Sequence, residues 1–213
     1  MSTAMSDPTP SMVGAPASRT AQRIGRLYLR LFGWRVAGTL PACRSAIVIA
    51  APHTTNWDLP FMLAVSYTLG VKPAWLGKRE LFRWPFGGFM RRLGGVPVER
   101  SAPQDLVRQV VDRLTGGARL FLVVPPSGTR RRAEYWKSGF YHIARGADVP
   151  IVCAYLDYGR KVGGIGLVLT PTGDVRADMD RIRGFYAPIR GRYPAQMTPV
   201  RLREEDAPVS VAG

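Results

Sequence analysis

The chain has 213 residues, 46% of them hydrophobic, enough for one globular domain with a sizeable core and no need of metal or disulfide support. Its only cysteines, Cys43 and Cys153, lie outside any Cys-x-x-Cys spacing and form no cluster with His53 or His142, which argues against a disulfide framework and a metal site and fits a reducing compartment. With 30 Lys and Arg against 15 Asp and Glu the net charge is +15, so the surface attracts nucleic acid, anionic lipid headgroups or phosphate-bearing substrates.

Residues 1–18, rich in Ser, Thr, Pro, Ala and Met, have no apolar block followed by a cleavage site, and predict a disordered leader. Residues 203–213 predict a disordered tail. Between them, 19–202 reads as a single domain that opens on a basic amphipathic helix over 19–34. In that helix Ile24, Leu27, Tyr28 and Leu31 form one stripe and Arg19, Arg23, Arg26 and Arg30 another. Two placements follow, which are compatible with each other: the apolar stripe docks on the core, and it lies in a membrane interface, where each basic residue contributes about 1 kcal/mol on an anionic surface. No run of about 18 apolar residues exists, which argues against a spanning helix.

The next elements alternate. Strands are predicted over 45–51, 73–77, 119–124, 150–156 and 164–169, with a short apolar piece at 96–98; helices over 58–69, 86–93, 105–114, 138–145 and 177–186. Near-continuous Val/Ile/Leu strands separated by helices predict an α/β fold, a mostly parallel central sheet flanked by helices on both faces. Asn56 or Asp58 is placed to cap the helix at 58, whose N-terminal N–H groups favour nearby negative charge.

His53 and Asp58 stand five positions apart in the connection after the first long strand. A neutral imidazole takes a proton from an alcohol, and a nearby carboxylate fixes its tautomer and stabilises the imidazolium. Alone the spacing is weak; three further segments accompany it. A Gly-rich basic stretch carries Gly77, Lys78, Arg79, then Pro85 to Gly88, then Gly94 to Arg100; Pro126-Ser127-Gly128-Thr129-Arg130 follows; and Val149-Pro150-Ile151-Val152 closes the set. In this order, over residues 47–156, they resemble the four motifs of the glycerolipid acyltransferases of the lysophosphatidic-acid acyltransferase type, and residues 134–142 are similar to a compact bacterial subgroup of it.

The resemblance implies a glycerol-3-phosphate acyltransferase-like fold. It implies transfer of a fatty acyl group from an acyl-CoA or acyl carrier protein thioester to a lysophospholipid hydroxyl, most simply that of 1-acylglycerol 3-phosphate, with no metal or other cofactor. His53 would be the general base and Asp58 would hold it; Arg100, Ser127, Gly128, Thr129 and Arg130, with Lys78 as a further candidate, would bind the acceptor, the arginines gripping phosphate with paired bonds. Ser127 departs from the family, which usually has Glu there, so acceptor identity is open. No Gly-x-Ser-x-Gly elbow is present, which favours direct attack on the thioester over a covalent acyl-enzyme. Backbone N–H groups at 127–129 or after His53 are the candidate oxyanion donors.

Trp136, Phe140 and Tyr141 are expected in the core and His142 in a structural role. Arg181, Arg183, Arg190 and Arg192 form a basic group suited to coenzyme A phosphates or an acidic carrier protein. The expected setting is the cytoplasmic side of a membrane, as a peripheral protein on an anionic surface. Competing classes are a nucleic-acid binder, supported by charge alone and by no helix-turn-helix, zinc-finger or RNP signature, a non-catalytic membrane-surface protein, and an acyltransferase using a different lysolipid or alcohol.

Overall fold

The run Ala-Ile-Val-Ile-Ala-Ala of Ala46–Ala51 sends Ile47 and Ile49 to one face of a sheet and Ala46 and Val48 to the other, and all four are buried. A strand apolar on both faces must be covered on both, and this requirement shapes the whole chain. The computed structural model describes residues 16–98, 103–117 and 119–206. Among these residues seven strands, β1 (Arg35–Ala37), β2 (Ala46–Ala51), β3 (Ala74–Lys78), β4 (Gly95–Val98), β5 (Phe121–Val124), β6 (Ile151–Asp157) and β7 (Val162–Leu169), form one sheet in the order β1-β7-β6-β2-β5-β3-β4. All pairings are parallel except β6 with β7, which is antiparallel.

The helices are α1 (Arg19–Leu31), α2 (Asp58–Thr68), α3 (Gly87–Arg92), α4 (Pro103–Thr115), α5 (Gly139–Gly146) and α6 (Val175–Tyr186). On one face Ile47, Ile49, Leu120, Leu122 and Ile151 pack with Val110 and Leu114 of α4, Phe140 and Ile143 of α5, and Met179 and Ile182 of α6. On the other, Ala46, Val48, Phe121, Val123 and Val152 meet Leu63 of α2 together with Trp75 and Phe82. The chain therefore adopts the predicted α/β architecture. Trp136, Phe140 and Tyr141 are core residues, buried to 4%, 1% and 1% exposure.

The ends of the chain carry more structure than the composition predicts. Pro16 bridges to Val71, the Ala17 N–H donates to the Gly70 carbonyl, and Ser18 caps α1 by accepting from the Ala21 N–H, so order begins before residue 19. Residues 1–15 of the predicted leader lie outside the described residues. At the other end Arg203–Asp206 is a 3₁₀ turn, held by the Arg183–Glu205 and Arg201–Asp206 ion pairs; residues 207–213 lie outside the described residues.

The amphipathic helix stops at Leu31 rather than 34, because Gly33 takes a positive φ of 71° and turns Trp34 into the core. Of the predicted apolar stripe only Tyr28 docks, its ring against Phe61 of α2 with centroids 5.3 Å apart. Gly25 and Leu29 face inward against α2, whereas Ile24, Leu27 and Leu31 are 61%, 70% and 78% exposed. The contact is close: a Cβ on Gly25 would lie 2.7 Å from the Ala64 carbonyl oxygen of α2. Strand β1 is absent from the sequence reading, since three residues following a glycine turn carry too little periodicity.

Candidate active site

Strands β3, β5, β2 and β6 run in one direction, so the segments that follow them meet at a single edge of the sheet, the edge where α/β proteins gather ligands. β2 delivers His53 and α2 delivers Asp58; β5 delivers residues 125–130; β3 ends on Lys78; and Tyr158 follows β6 directly. β4 ends at Val98, register partner of Lys78, and Arg100 lies outside the described residues.

His53 Nδ1 is 2.9 Å from Asp58 Oδ2. That oxygen also accepts from the Thr54 and Thr55 N–H groups at 2.9 and 3.1 Å, while Oδ1 accepts from the Tyr158 hydroxyl at 2.8 Å. With four donors converging on it, the buried carboxylate is held in one orientation, and a proton on Nδ1 leaves Nε2 with its lone pair. The Asp58 side chain is 7% exposed and the His53 ring 23%, so the pair is sheltered while the ring still reaches the cavity it lines.

Helix capping differs from the expectation: Thr55 Oγ1 accepts from the Trp57 N–H, and the Asp58 carboxylate turns back to hold the loop. Thr54, Thr55 and Gly128 N–H groups are all committed to protein acceptors, Gly128 to the Pro125 carbonyl at 3.0 Å. These three are therefore not oxyanion donors in this arrangement.

Tyr158 is a residue that sequence reasoning missed. Burial, and next the negative charge of Asp58, push its phenol well above the usual tyrosine range, so it stays protonated and donates. Its ring is held by Trp34 (centroids 4.9 Å apart) and Phe61 (6.0 Å), with the Arg192 guanidinium over it at 6.0 Å. Only the fold signals this role, since the residue lies 100 positions from Asp58 in no recognisable motif.

The second loop of the site is a tight turn. Gly128 has φ 63°, a conformation that favours glycine, and the Ser127 hydroxyl donates to the Thr129 carbonyl at 2.8 Å. Gly128, Thr129, Arg130 and Lys78 line the cavity beside His53, and Arg130 and Lys78 are exposed at its rim. Ser127 is 8% exposed, turned into its own loop, and is not among the lining residues, unlike its neighbours. The Gln196 amide, with its nitrogen facing two carbonyls, donates to Thr54 at 3.2 Å and Arg130 at 2.9 Å, joining the two loops. The Tyr193 N–H donates to Thr54 Oγ1 at 3.3 Å.

Behind His53 the cavity, about 520 Å³, runs between α2 and the sheet. Its walls are Leu59, Met62 and Leu69 from the helix side and Val48, Phe121, Val123, Ala154 and Ile165 from the strands, and it reaches Leu40 and Val71. An apolar channel opening on an imidazole–carboxylate pair with cations at the rim accommodates a hydrocarbon chain attached to a polar reacting group. The basic group predicted at 181–192 is divided: Arg183 pairs with Asp180 and Glu205 and donates to the Val200 carbonyl, whereas Arg192 lies over Tyr158 beside the site and over Tyr193. His142 Nε2 lies 3.8 Å from Glu204 on the surface. Among the described residues no three His, Cys, Asp or Glu side chains gather as a metal set.

A 1-acyl-sn-glycerol-3-phosphate acyltransferase of Haemophilus influenzae is 29% identical over 153 residues, 67% of this chain and 60% of that protein, so the match spans less than two thirds of the relative. The crystal structure of the 1-acyl-sn-glycerophosphate (LPA) acyltransferase PlsC from Thermotoga maritima is similar in fold, with TM-score 0.55 and 21% identity over 77% of this chain and 73% of that one. The family model described as Acyltransferase matches residues 34–157, which hold His53, Asp58, the 125–130 loop and strands β1 to β6. With more than half of its length matched and the paired His and Asp in place at the strand edge, the chain belongs to the acyltransferase family.

Proposed function

We propose that this protein transfers a fatty acyl group from an acyl-CoA or acyl carrier protein thioester to the hydroxyl of a lysophospholipid, with 1-acylglycerol 3-phosphate as the acceptor. The observation that carries this reading is the His53–Asp58 pair, 2.9 Å apart, at the mouth of an apolar channel with Arg130 and Lys78 on its rim. His53 Nε2 takes the acceptor's hydroxyl proton as the oxygen attacks the thioester carbonyl carbon. Collapse of the tetrahedral intermediate breaks the carbon–sulfur bond, and the imidazolium returns its proton to the departing thiolate, so the products are an ester and a free thiol. No metal or other cofactor takes part.

The acyl chain occupies the channel under α2, and Arg130, Lys78 and Arg100 neutralise the acceptor phosphate. The exposed Ile24, Leu27 and Leu31 of α1, beside its four arginines, suit the interface of an anionic membrane. No helix among the described residues is long and apolar enough to cross a membrane. We place the protein peripherally on the cytoplasmic side.

The test is an acceptor panel of lysophosphatidic acid, glycerol 3-phosphate and phosphate-free alcohols assayed with wild type and His53→Ala. Turnover of lysophosphatidic acid that falls about 10²- to 10⁴-fold in the folded variant is expected. Full activity of His53→Ala removes the assigned base, and turnover of neutral alcohols only removes the phosphate roles.

A further inference from the structure

Between β3 and β4 the chain displays large apolar side chains in an unusual way. Phe82 is buried, 6% exposed, with the Arg91 guanidinium over its ring at 5.6 Å, and it anchors the segment. A Cβ on Gly87 would lie 1.9 Å from the Phe82 carbonyl oxygen, so the turn between them is closed tightly and the intervening residues project outward. Leu81, Trp84, Phe86 and Phe89 are 47%, 93%, 66% and 58% exposed, four large apolar groups within nine residues. Single exposed apolar residues are ordinary, but such a group marks an interaction surface.

Its chemistry selects the partner. Residues 78–92 hold Lys78, Arg79, Arg83, Arg91 and Arg92 against one acid, Glu80, and all six are exposed. Aromatic rings with basic neighbours match a lipid interface, rings at headgroup depth and cations against anionic headgroups. Position favours lipid over nucleic acid, because Leu81 is both a member of the patch and a wall of the apolar channel. Phe32 at the end of α1, 40% exposed, packs on Phe61 of α2 with ring centroids 5.6 Å apart, and α2 supplies Leu59 and Met62 to the channel wall.

We infer that the Trp84, Phe86 and Phe89 patch is a second membrane-contact element, which with α1 seats the channel mouth on an anionic bilayer. The inference rests on the proposed action at a membrane surface and names the surface that does the seating. An acyl chain then passes from bilayer to channel past Leu81 without crossing water.

The test uses the full chain and vesicles of phosphatidylcholine with or without phosphatidylglycerol. In the triple variant Trp84→Ser, Phe86→Ser, Phe89→Ser, binding to the anionic vesicles is expected to fall about 100-fold. Activity on a water-soluble short-chain thioester and acceptor is expected to stay unchanged. Brominated lipid is expected to quench wild-type tryptophan emission more than that of Trp84→Phe, a measurement independent of whether the triple variant folds. Equal quenching of both, or binding of the triple variant equal to wild type, overturns the inference. If the double variant Leu27→Ser, Leu31→Ser alone loses binding, the membrane reading stands and this patch is removed from it. Wild type that binds neither vesicle sinks both, and a change confined to oligomeric state assigns the patch to a second copy of the chain.

Discussion

Asp58 accepts from His53, Thr54, Thr55 and Tyr158 at once, and each donor removes one direction in which the carboxylate could turn. Hydrogen bonds to a charged acceptor are worth about 1.5–3 kcal/mol, and about 1.4 kcal/mol is tenfold in rate. Tyr158→Phe keeps the ring against Trp34 and Phe61 and removes only the hydroxyl. It is expected to lower kcat about tenfold with little change in KM, and to cost about 1–3 kcal/mol of stability because the buried carboxylate loses a donor. Because the phenol is raised above its usual range by burial and by Asp58, it keeps its proton throughout, so the ratio of wild type to variant should stay flat from about pH 6 to about pH 9. A ratio that collapses to one on the alkaline side would show that the phenol loses its proton within that range, against the upward shift assigned to it. The spacing of His53 and Asp58 is legible in the chain because both lie in one short connection, whereas Tyr158 and Gln196 reach the site only through the sheet order.

At the level of elements, periodicity locates β2 to β7 and α2 to α6, each within two residues of its observed ends. The predicted strand at 45–51 and helix at 58–69 are observed as Ala46–Ala51 and Asp58–Thr68. What pattern alone does not resolve is which side of α1 is docked. The contact uses Gly25, which has no apolar side chain to advertise it, and leaves the conspicuous Ile24, Leu27 and Leu31 outside. Gly25→Val is therefore expected to force α1 from α2 and cost about 1–3 kcal/mol, read as a lowered Tm, since the Cβ position already lies 2.7 Å from a backbone oxygen. An unchanged Tm would mean that the two helices separate freely. Ser127 shows the same limit of pattern: its place in the Pro-Ser-Gly-Thr-Arg run suggests a ligand, but the hydroxyl closes its own turn.

For the whole molecule, the last part of the chain returns across the site. After α6, Tyr193 and Gln196 bond to Thr54 and Arg130, and the Thr198 hydroxyl accepts from the Ala133 N–H at 3.0 Å. Each loop of the site is thus tied to a segment distant in sequence, and the amide of Gln196 touches both. Gln196→Leu removes two donations worth about 1 kcal/mol each and is expected to lower kcat/KM several-fold, with the larger effect on acceptors that carry phosphate, because Arg130 is the residue set loose. Equal losses for phosphorylated and neutral acceptors would separate the strap from Arg130.

The family match stops at residue 157, one position before Tyr158 and well before Gln196. A chimaera that transplants only the matched stretch into a relative would inherit the imidazole, its carboxylate and the Thr54 and Thr55 donors, while taking the Tyr158 and Gln196 braces from a foreign host. Segment exchange meant to move acceptor preference between relatives has to carry the chain onward through Thr198, or the grafted loops will answer to the wrong scaffold.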